Sequence, residues 1–434
     1  MSEPEPTPAG RRLVLLLNNP FVADSRSWKL ARSLAEADWT VTVVARTGPD
    51  LPAREVRDRF TVVRVAQPRP LAWLRTPPLP DAATGDPGRH RVSGPQRVRA
   101  ATTAIVGRSL QALRYLRLSG QWAAAVADAV PAGADIWQAE GMITLPVALG
   151  LRKRLGGRVV YDARDLQVES SRFARLPGPW RWLLSRRERA WARSADATIT
   201  TNEPYAEVLA QTLGVRATVV YNGPFAPVGD PGSAARAAAM RERLGIPSAT
   251  PIVLYLGSVA PGRGVEQLCR AMADVPAATL LVVGPGGAFR ETLMAAAAQL
   301  PVGDRIRFLP GVAPEQIPDW TAAADVAVMP ILPTTLNHRL TTPTRLFDAL
   351  GAGVPVVASD LPGMAAIVRT TGAGVLCDPA DPGSIARAVR EVLDAPPERR
   401  RAYREAALAA GRGYAWEHQI EALVEVFRRV STAR

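Results

Sequence analysis

Two cysteines stand in 434 residues, Cys269 and Cys377, and they offer neither a disulfide framework nor a metal-ligand spacing; both read as small buried hydrophobes. Apolar runs of the roughly 18 residues that a membrane span needs are absent, and the start lacks the basic-then-apolar order of a secretory leader, so the chain is expected in the cytoplasm. Nothing repeats at a short fixed period, which excludes a solenoid. Lysine is confined to Lys29 and Lys153, so arginine carries nearly all of the positive charge. No Asp-x-Asp pair is present to set two carboxylates on one divalent cation, and neither a metal nor any other cofactor is expected.

What is present describes a folded chain, with 47% apolar and 21% charged residues. Its length exceeds one ordinary core and suits two α/β domains of about 200 residues each. Only residues 1–10 are too polar and proline-rich to order themselves. The net charge of +13 is unevenly placed: residues 1–222 hold 32 Lys and Arg against 20 Asp and Glu, and the remainder holds 21 against 20. An anionic partner is therefore expected on the first half.

Short apolar strands alternate with helical patterns throughout. In the first half LVLLL (13–17), a helix over 25–37 and TVTVVA (40–45) form a strand-helix-strand unit, with further strands at 60–65, 134–139, 157–161, 196–201 and 217–221. Residues 67–95 are rich in Pro, Gly and Arg and precede a helical pattern running to about 129; so long a loop is functional or disordered. A second series has strands at 251–257, 279–284, 305–310, 325–330, 354–359 and 374–379. This alternation predicts two Rossmann-like domains with parallel, doubly wound sheets. The division expected is a tail at 1–10, a first domain at 11–222, a second at 223–412 and a last helix at 413–434 crossing back to the first, with a Gly-, Pro- and Ala-rich linker near 222–239.

The segment NHRLTTPTRLFDALGAGVPVVASDLPG (337–363) carries the most specific chemistry. Thr342 before Pro343 reads as an N-cap with proline at the first helical position, which would leave N–H groups at 343–346 free to meet phosphate. Arg345 and Asp348, three apart, share one face; the cation suits a phosphate and the carboxylate a ribose diol, while an ordinary ion pair on a capped helix fits the same spacing.

The stretch PTRLFDALGAGVPVVAS resembles the donor-site signature of the family 4 glycosyltransferases, which have the GT-B fold, two Rossmann-like domains facing across a cleft, retain anomeric configuration and need no metal. In that family a Glu on this helix binds ribose; Asp348 occupies its place, and Thr344 and Arg345 lie on the same helix. A second family Glu falls eight residues earlier, where this chain has Leu340, leaving Asn337 or His338 to hold the donor sugar. YLGSVAPGRGVEQLCRAM (255–272) resembles the family's phosphate loop, with Gly257, Arg263 before Gly264, and Ser258 where many members have Arg. VVGPGG (282–287), with Gly284, and RFLPGVAPEQIPDW (307–320), with a base contact near Val312, follow in the family's order. The resemblance implies that Arg263 and Arg345 stabilise the departing diphosphate in place of a metal, and that attack comes from the leaving-group face.

DSRSWKLARSLAEADWTVTVVA (24–45) and IWQAEGMITLPVALGLRKRLGGRVVYDARDL (136–166) resemble the acceptor domain of the same family, where Ser25, Arg26, Gln138 and Arg164 become acceptor-binding candidates. Members often carry histidines where Gln138, Glu140 and Arg164 stand, followed by Asp165. Glu140 and Asp165 follow predicted strands at the carboxyl ends where doubly wound sheets bind ligands, so they are candidates to orient or deprotonate an acceptor hydroxyl; polar loop residues without such a role would read alike.

LPGPWRWLLSRRERAWARSAD (176–196) interleaves Trp180, Trp182 and Trp191 with Arg181, Arg186, Arg187, Arg189 and Arg193. Such a helix either rests on anionic lipid or packs on its own sheet with its arginines solvated. Three functions follow. The first is a glycosyltransferase moving a UDP- or GDP-linked sugar to a glycan, a lipid-linked or a small-molecule acceptor, working peripherally on the inner membrane face in cell-surface glycan synthesis. The second is a non-catalytic GT-B subunit binding a nucleotide sugar or a partner enzyme. The third, a nucleic-acid binder, has only the high isoelectric point behind it and no base-reading motif, so nucleic acid is not an expected partner.

Overall fold

The structure, a computed structural model, describes residues 11–22, 24–67, 118–170, 173–174, 176–225 and 228–432. The expected N-terminal tail, the loop at 67–95 beyond Gln67 and the first part of the helical pattern behind it lie outside those residues. Residue contacts divide the chain into two units, Val220–Ala422 and, together, Met1–Val219 with Leu423–Arg434.

Strands form where the apolar run is continuous, because a parallel sheet is covered by helices on both faces. Leu13 to Leu17 are all 2% exposed or less. In the first unit β1 (Arg12–Leu16), β2 (Thr40–Arg46), β4 (Phe60–Val65), β5 (Ile136–Glu140), β6 (Arg158–Ala163), β7 (Ala197–Thr200) and β8 (Ala217–Val219) run parallel, in the order β4-β2-β1-β5-β6-β7-β8. An edge strand absent from the sequence reading, β3 (Arg54–Arg57), pairs antiparallel with β4. Its REVR sequence has no apolar run, and the turn rests on Asp58 at φ 53°, a weaker signal than Asn-Gly. The chain builds outward from β1 to one side, then restarts at β5 on the other. The switch point therefore lies between the carboxyl ends of β1 and β5, where an open α/β sheet leaves a crevice.

The second unit repeats the logic with β9 (Ile252–Leu256), β10 (Thr279–Val283), β11 (Ile306–Leu309), β12 (Val326–Met329), β13 (Val356–Ser359) and β14 (Gly374–Cys377), all parallel, in the order β11-β10-β9-β12-β13-β14. Its switch point lies between β9 and β12. Phe347, Leu346 and Leu350 of helix Thr344–Ala352 are fully buried in its core with Leu254, Val356 and Met364. The expected linker is partly structured: Ser233–Arg243 is a helix of this unit, with Arg236 hydrogen-bonded to Asp319 at 2.6 Å, because its alanines are helix formers rather than spacers. The last helix, Trp416–Thr432, ends among first-unit residues, where Phe427 meets Trp39 edge-on at 5.5 Å.

Candidate functional site

Each unit gathers its candidate residues at the carboxyl ends of its strands. In the second unit the segment after β9 runs through Gly257, Ser258, Arg263 and Gly264. Gly264 adopts φ 71°, and a Cβ there would strike the Pro330 carbonyl beyond β12. Gly284, after β10, is pressed against the Gly257 carbonyl, and the Gly257 N–H donates to Val283 at 2.9 Å. These glycines let three backbone segments close on one another at the switch point, and Arg263 is half-buried there. Ser258 is exposed, its carbonyl held by the Tyr255 hydroxyl at 2.8 Å. Burial pushes that hydroxyl up to about 12, with Arg263 pulling against it, so the guanidinium lies within electrostatic reach of Tyr255.

The segment beyond β12 closes the other side. Thr335 caps the one-turn helix Leu336–Leu340, which carries Asn337, His338 and Leu340. His338 is buried, and its Nδ1 shares a 2.8 Å hydrogen bond with Thr334. A Cβ on Gly262 would lie 3.1 Å from the His338 ring, so phosphate-loop candidates and His338 adjoin. The Leu340 carbonyl lies instead against Gly363. Val312, half-buried after β11, follows Gly311, which faces Pro285 of the β10 loop.

The next helix starts one residue later than expected. Pro343 is itself the N-cap, with Thr342 buried before it, and Thr344 is the first helical residue. Proline has no N–H, and the Leu346 N–H is taken by the Pro343 carbonyl at 2.9 Å, so the amides at the helix mouth are those of Thr344 and Arg345 rather than four from 343 onward. Thr344 Oγ1 accepts from Asn222 Nδ2 at 2.6 Å; Asn222, 122 residues earlier in the chain, gave no sequence signal. Arg345 and Asp348 are paired with each other at 2.6 Å.

In the first unit Arg164 is the hub. It donates from Nε to Asp162 at 2.9 Å, from Nη1 to Asp24 at 3.1 Å and Glu140 at 3.0 Å, and from Nη2 to Ser27 at 2.8 Å. Asp24 also caps helix Ser25–Glu36, where Ser25 opens the first turn, by accepting from Ser27 N at 2.9 Å. Arg26 and Gln138 were expected to meet an acceptor, yet they are 4% and 2% exposed and both reach Asp162, at 3.5 and 3.1 Å. Their strand and helix positions turn them inward onto Asp162, while Glu140 is largely buried and Asp165 exposed. Asp162, fully buried, and Asp24 were missing from the candidates, although each opens a segment that was singled out, DARD at 162–165 and DSRSWKL at 24–30.

The charges are tuned by this packing. Burial pushes the Glu140 carboxyl up to about 8, Arg164 pulling it down and Asp24, Asp162 and Asp165 adding to the rise. Burial also works against the Asp24 charge, but Arg164, Ser27 and Asn19 hold it below its ordinary value. Arg164 is held more firmly protonated than a free arginine, since its carboxylates outweigh its burial. Glu140 can thus exchange a proton near neutral pH beside a permanent cation. Among the described residues no group of three or more His, Cys, Asp or Glu is arranged to hold a metal.

The arginine-tryptophan helix, Gly178–Arg193, is less available than its sequence suggests. Arg181 pairs with Glu169 at 2.9 Å, and Arg189 and Arg193 donate to the carbonyls of Thr212 and Leu213 at 2.7 and 2.9 Å. Trp180 and Trp191 pack on a small core around Leu184. Trp182 is 64% exposed, with Arg186 over its ring at 5.7 Å.

Comparison with known proteins agrees with this architecture. Residues 26–223 match the family described as Glycosyltransferase Family 4, and residues 237–409 that described as Glycosyl transferases group 1. Among curated relatives, the D-inositol 3-phosphate glycosyltransferase of Xylanimonas cellulosilytica is 30% identical over 56% of this chain and 58% of its own length. D-inositol 3-phosphate glycosyltransferase 1 of Catenulispora acidiphila is 27% identical over 82% of this chain and 83% of its own. The matches to the first-ranked relatives thus span less than two thirds of their length. Sucrose-phosphate synthase from Thermosynechococcus elongatus superposes with a TM-score of 0.71 at 21% identity, over 98% of this chain and all of its own. The Anabaena protein HepE, solved in complex with UDP, gives 0.67 at 17%, over 96% and 100%. Those two likenesses establish the GT-B fold.

Proposed function

Since the chain belongs to the group 1, family 4 glycosyltransferases, we propose that it transfers a sugar from a nucleoside diphosphate donor bound by the second unit to a hydroxyl acceptor bound by the first. One observation carries this reading: at the β9/β12 switch point, Gly264 and Gly284 bring backbone so close to the Pro330 and Gly257 carbonyls that a side chain at either would collide, with Arg263 beside them. Bare backbone and a guanidinium form a cradle for phosphates. The amides of Thr344 and Arg345 extend it with a helix end.

In this reading Arg263 and Arg345 stabilise the charge that develops on the departing diphosphate, a task for which no metal is needed. Asp348 leaves Arg345 to take the ribose diol, and His338 and Asn337 hold the donor sugar where the family's first Glu is replaced by Leu340. Glu140, with Asp165 near it, receives or orients the acceptor hydroxyl. The sugar is delivered to the leaving-group face, so configuration is retained. Relatives named for D-inositol 3-phosphate support a hydroxyl-bearing ring as the acceptor, without deciding whether it carries a phosphate. The basic first half supports work at an anionic inner membrane face, where cell-surface glycans are built.

The test is a screen of UDP-, GDP-, dTDP- and ADP-sugars for thermal stabilisation and slow donor hydrolysis. One nucleotide sugar is expected to stabilise the chain, and Arg263→Gln with Asp348→Asn to weaken it by about 1–3 kcal/mol per residue, each losing a charge-assisted hydrogen bond. Unchanged affinity in the double variant would place the donor elsewhere. Stabilisation without hydrolysis or transfer would favour the non-catalytic subunit.

A further inference from the structure

The charges at the carboxyl end of the first unit's sheet bear on what kind of acceptor fits there. This half of the chain is basic in sequence, yet the guanidinium groups gathered here are already committed. Arg164, 13% exposed, is bonded to Asp24, Glu140, Asp162 and Ser27. Arg26 is buried, with its Nε 3.5 Å from Asp162. Asp24, Glu140 and Asp162 therefore share two guanidinium groups, and Asp165 stands exposed on the loop beyond β6. Two buried acceptors of the cluster, Gln138 Oε1 and Asp162 Oδ1, receive no hydrogen bond. A phosphate arriving here would meet carboxylates and compete for an arginine that is already satisfied. A hydroxyl would instead donate to the exposed carboxylate of Asp165, as carboxylates hold diols.

We infer that the acceptor held at this end of the sheet is an uncharged, hydroxyl-rich molecule, a polyol or the end of a glycan, and not a phosphorylated or otherwise anionic one. The inference rests on the glycosyl-transfer reading and narrows its acceptor. The proton that burial keeps on Glu140 up to about pH 8 agrees with it. A neutral acid spares the cluster a further negative charge and offers one O–H to a sugar oxygen.

The experiment is ligand-observed NMR on the full chain, with UDP or GDP, whichever binds, saturating the phosphate cradle of the second unit. The probes are methyl α-glucoside, maltose and myo-inositol against glucose 6-phosphate, inositol 1-phosphate and inorganic phosphate. Neutral members are expected to bind at least about tenfold more tightly than their phosphate esters, and Glu140→Gln to weaken them. Asp165→Arg, at an exposed position that does not threaten folding, should narrow the gap by bringing in an unpaired cation. Preference for the esters in the native chain would overturn the inference, as would no binding by any neutral probe while nucleotide binding is intact. Failure of every nucleotide diphosphate to bind would instead count against glycosyl transfer itself, so the two failures are distinguishable.

Discussion

Two buried carboxyls in the first unit are raised by the same cause, loss of water, and both make stability depend on pH. Glu188 accepts a 2.7 Å hydrogen bond from the Tyr161 hydroxyl inside the core, and burial pushes it up to about 7 against that bond's downward pull. Glu140 stands at about 8. For a carboxyl raised above its ordinary 4.5, the stabilising contribution is complete below that value and is lost as pH rises through the folded one. The native melting temperature should therefore fall between about pH 5 and 8. Glu188→Gln keeps an oxygen for Tyr161 and removes the charge, so its melting curve should flatten up to about pH 7; Glu140→Gln should flatten up to about pH 8. Parallel curves for variant and native chains would show that these carboxyls ionise as freely in the folded state as outside it. Asp24 acts with the opposite sign, since its lowered value places its loss of stability below its ordinary 3.8.

At the level of elements, the parallel strands were legible because their apolar runs are continuous, and the carboxyl-end rule then pointed to both candidate sites from strand ends alone. Helix ends and edges were harder. Thr342–Pro343 has the composition of a cap and a first turn, but Thr342 is drawn into the interior and the helix begins one residue on. Arg26, Gln138 and Asp162 look like surface polar residues in sequence; only pairing across β5, β6 and the helix after β1 makes them a buried network, and such pairing has no local signature. Glycines show the reverse case, because a turn glycine and one in close contact look alike until their neighbours are known. Gly264→Ala would strain a positive φ and drive a methyl into the Pro330 carbonyl, and Gly284→Ala would meet the Gly257 carbonyl. Each should cost more than about 1 kcal/mol, where an unstrained Gly→Ala change costs nothing, and abolish nucleotide stabilisation in a thermal-shift assay. Gly287→Ala, with open space around it, is the control and should do neither. Equal effects at all three positions would mean that the contacts around β9 do not shape the donor cradle.

Taken over the whole chain, the excess positive charge belongs to the first half. Nine of the first half's arginines, against two aspartates, fall within residues 68–117, outside the described part of the structure. Within the described part, the Gly178–Arg193 helix spends Arg181, Arg189 and Arg193 on its own unit. No helix among the described residues is long and apolar enough to cross a membrane. Docking on an anionic bilayer through this helix would thus rest on Trp182, Arg186 and Arg187. Two arginines near such a surface contribute at most about 2 kcal/mol, screened over a Debye length of about 8 Å at physiological salt, with the indole adding its interfacial burial. Sedimentation with phosphatidylcholine vesicles, with and without phosphatidylglycerol, is the measurement. The native chain should bind only the anionic vesicles and release in high salt, and a chain with Trp182→Ala, Arg186→Gln and Arg187→Gln should lose most of that binding. Anionic binding that survives the triple change would move the docking face to the arginines of 68–117. Binding to neither vesicle would remove the membrane from the reading and leave the enzyme to work on an acceptor in solution.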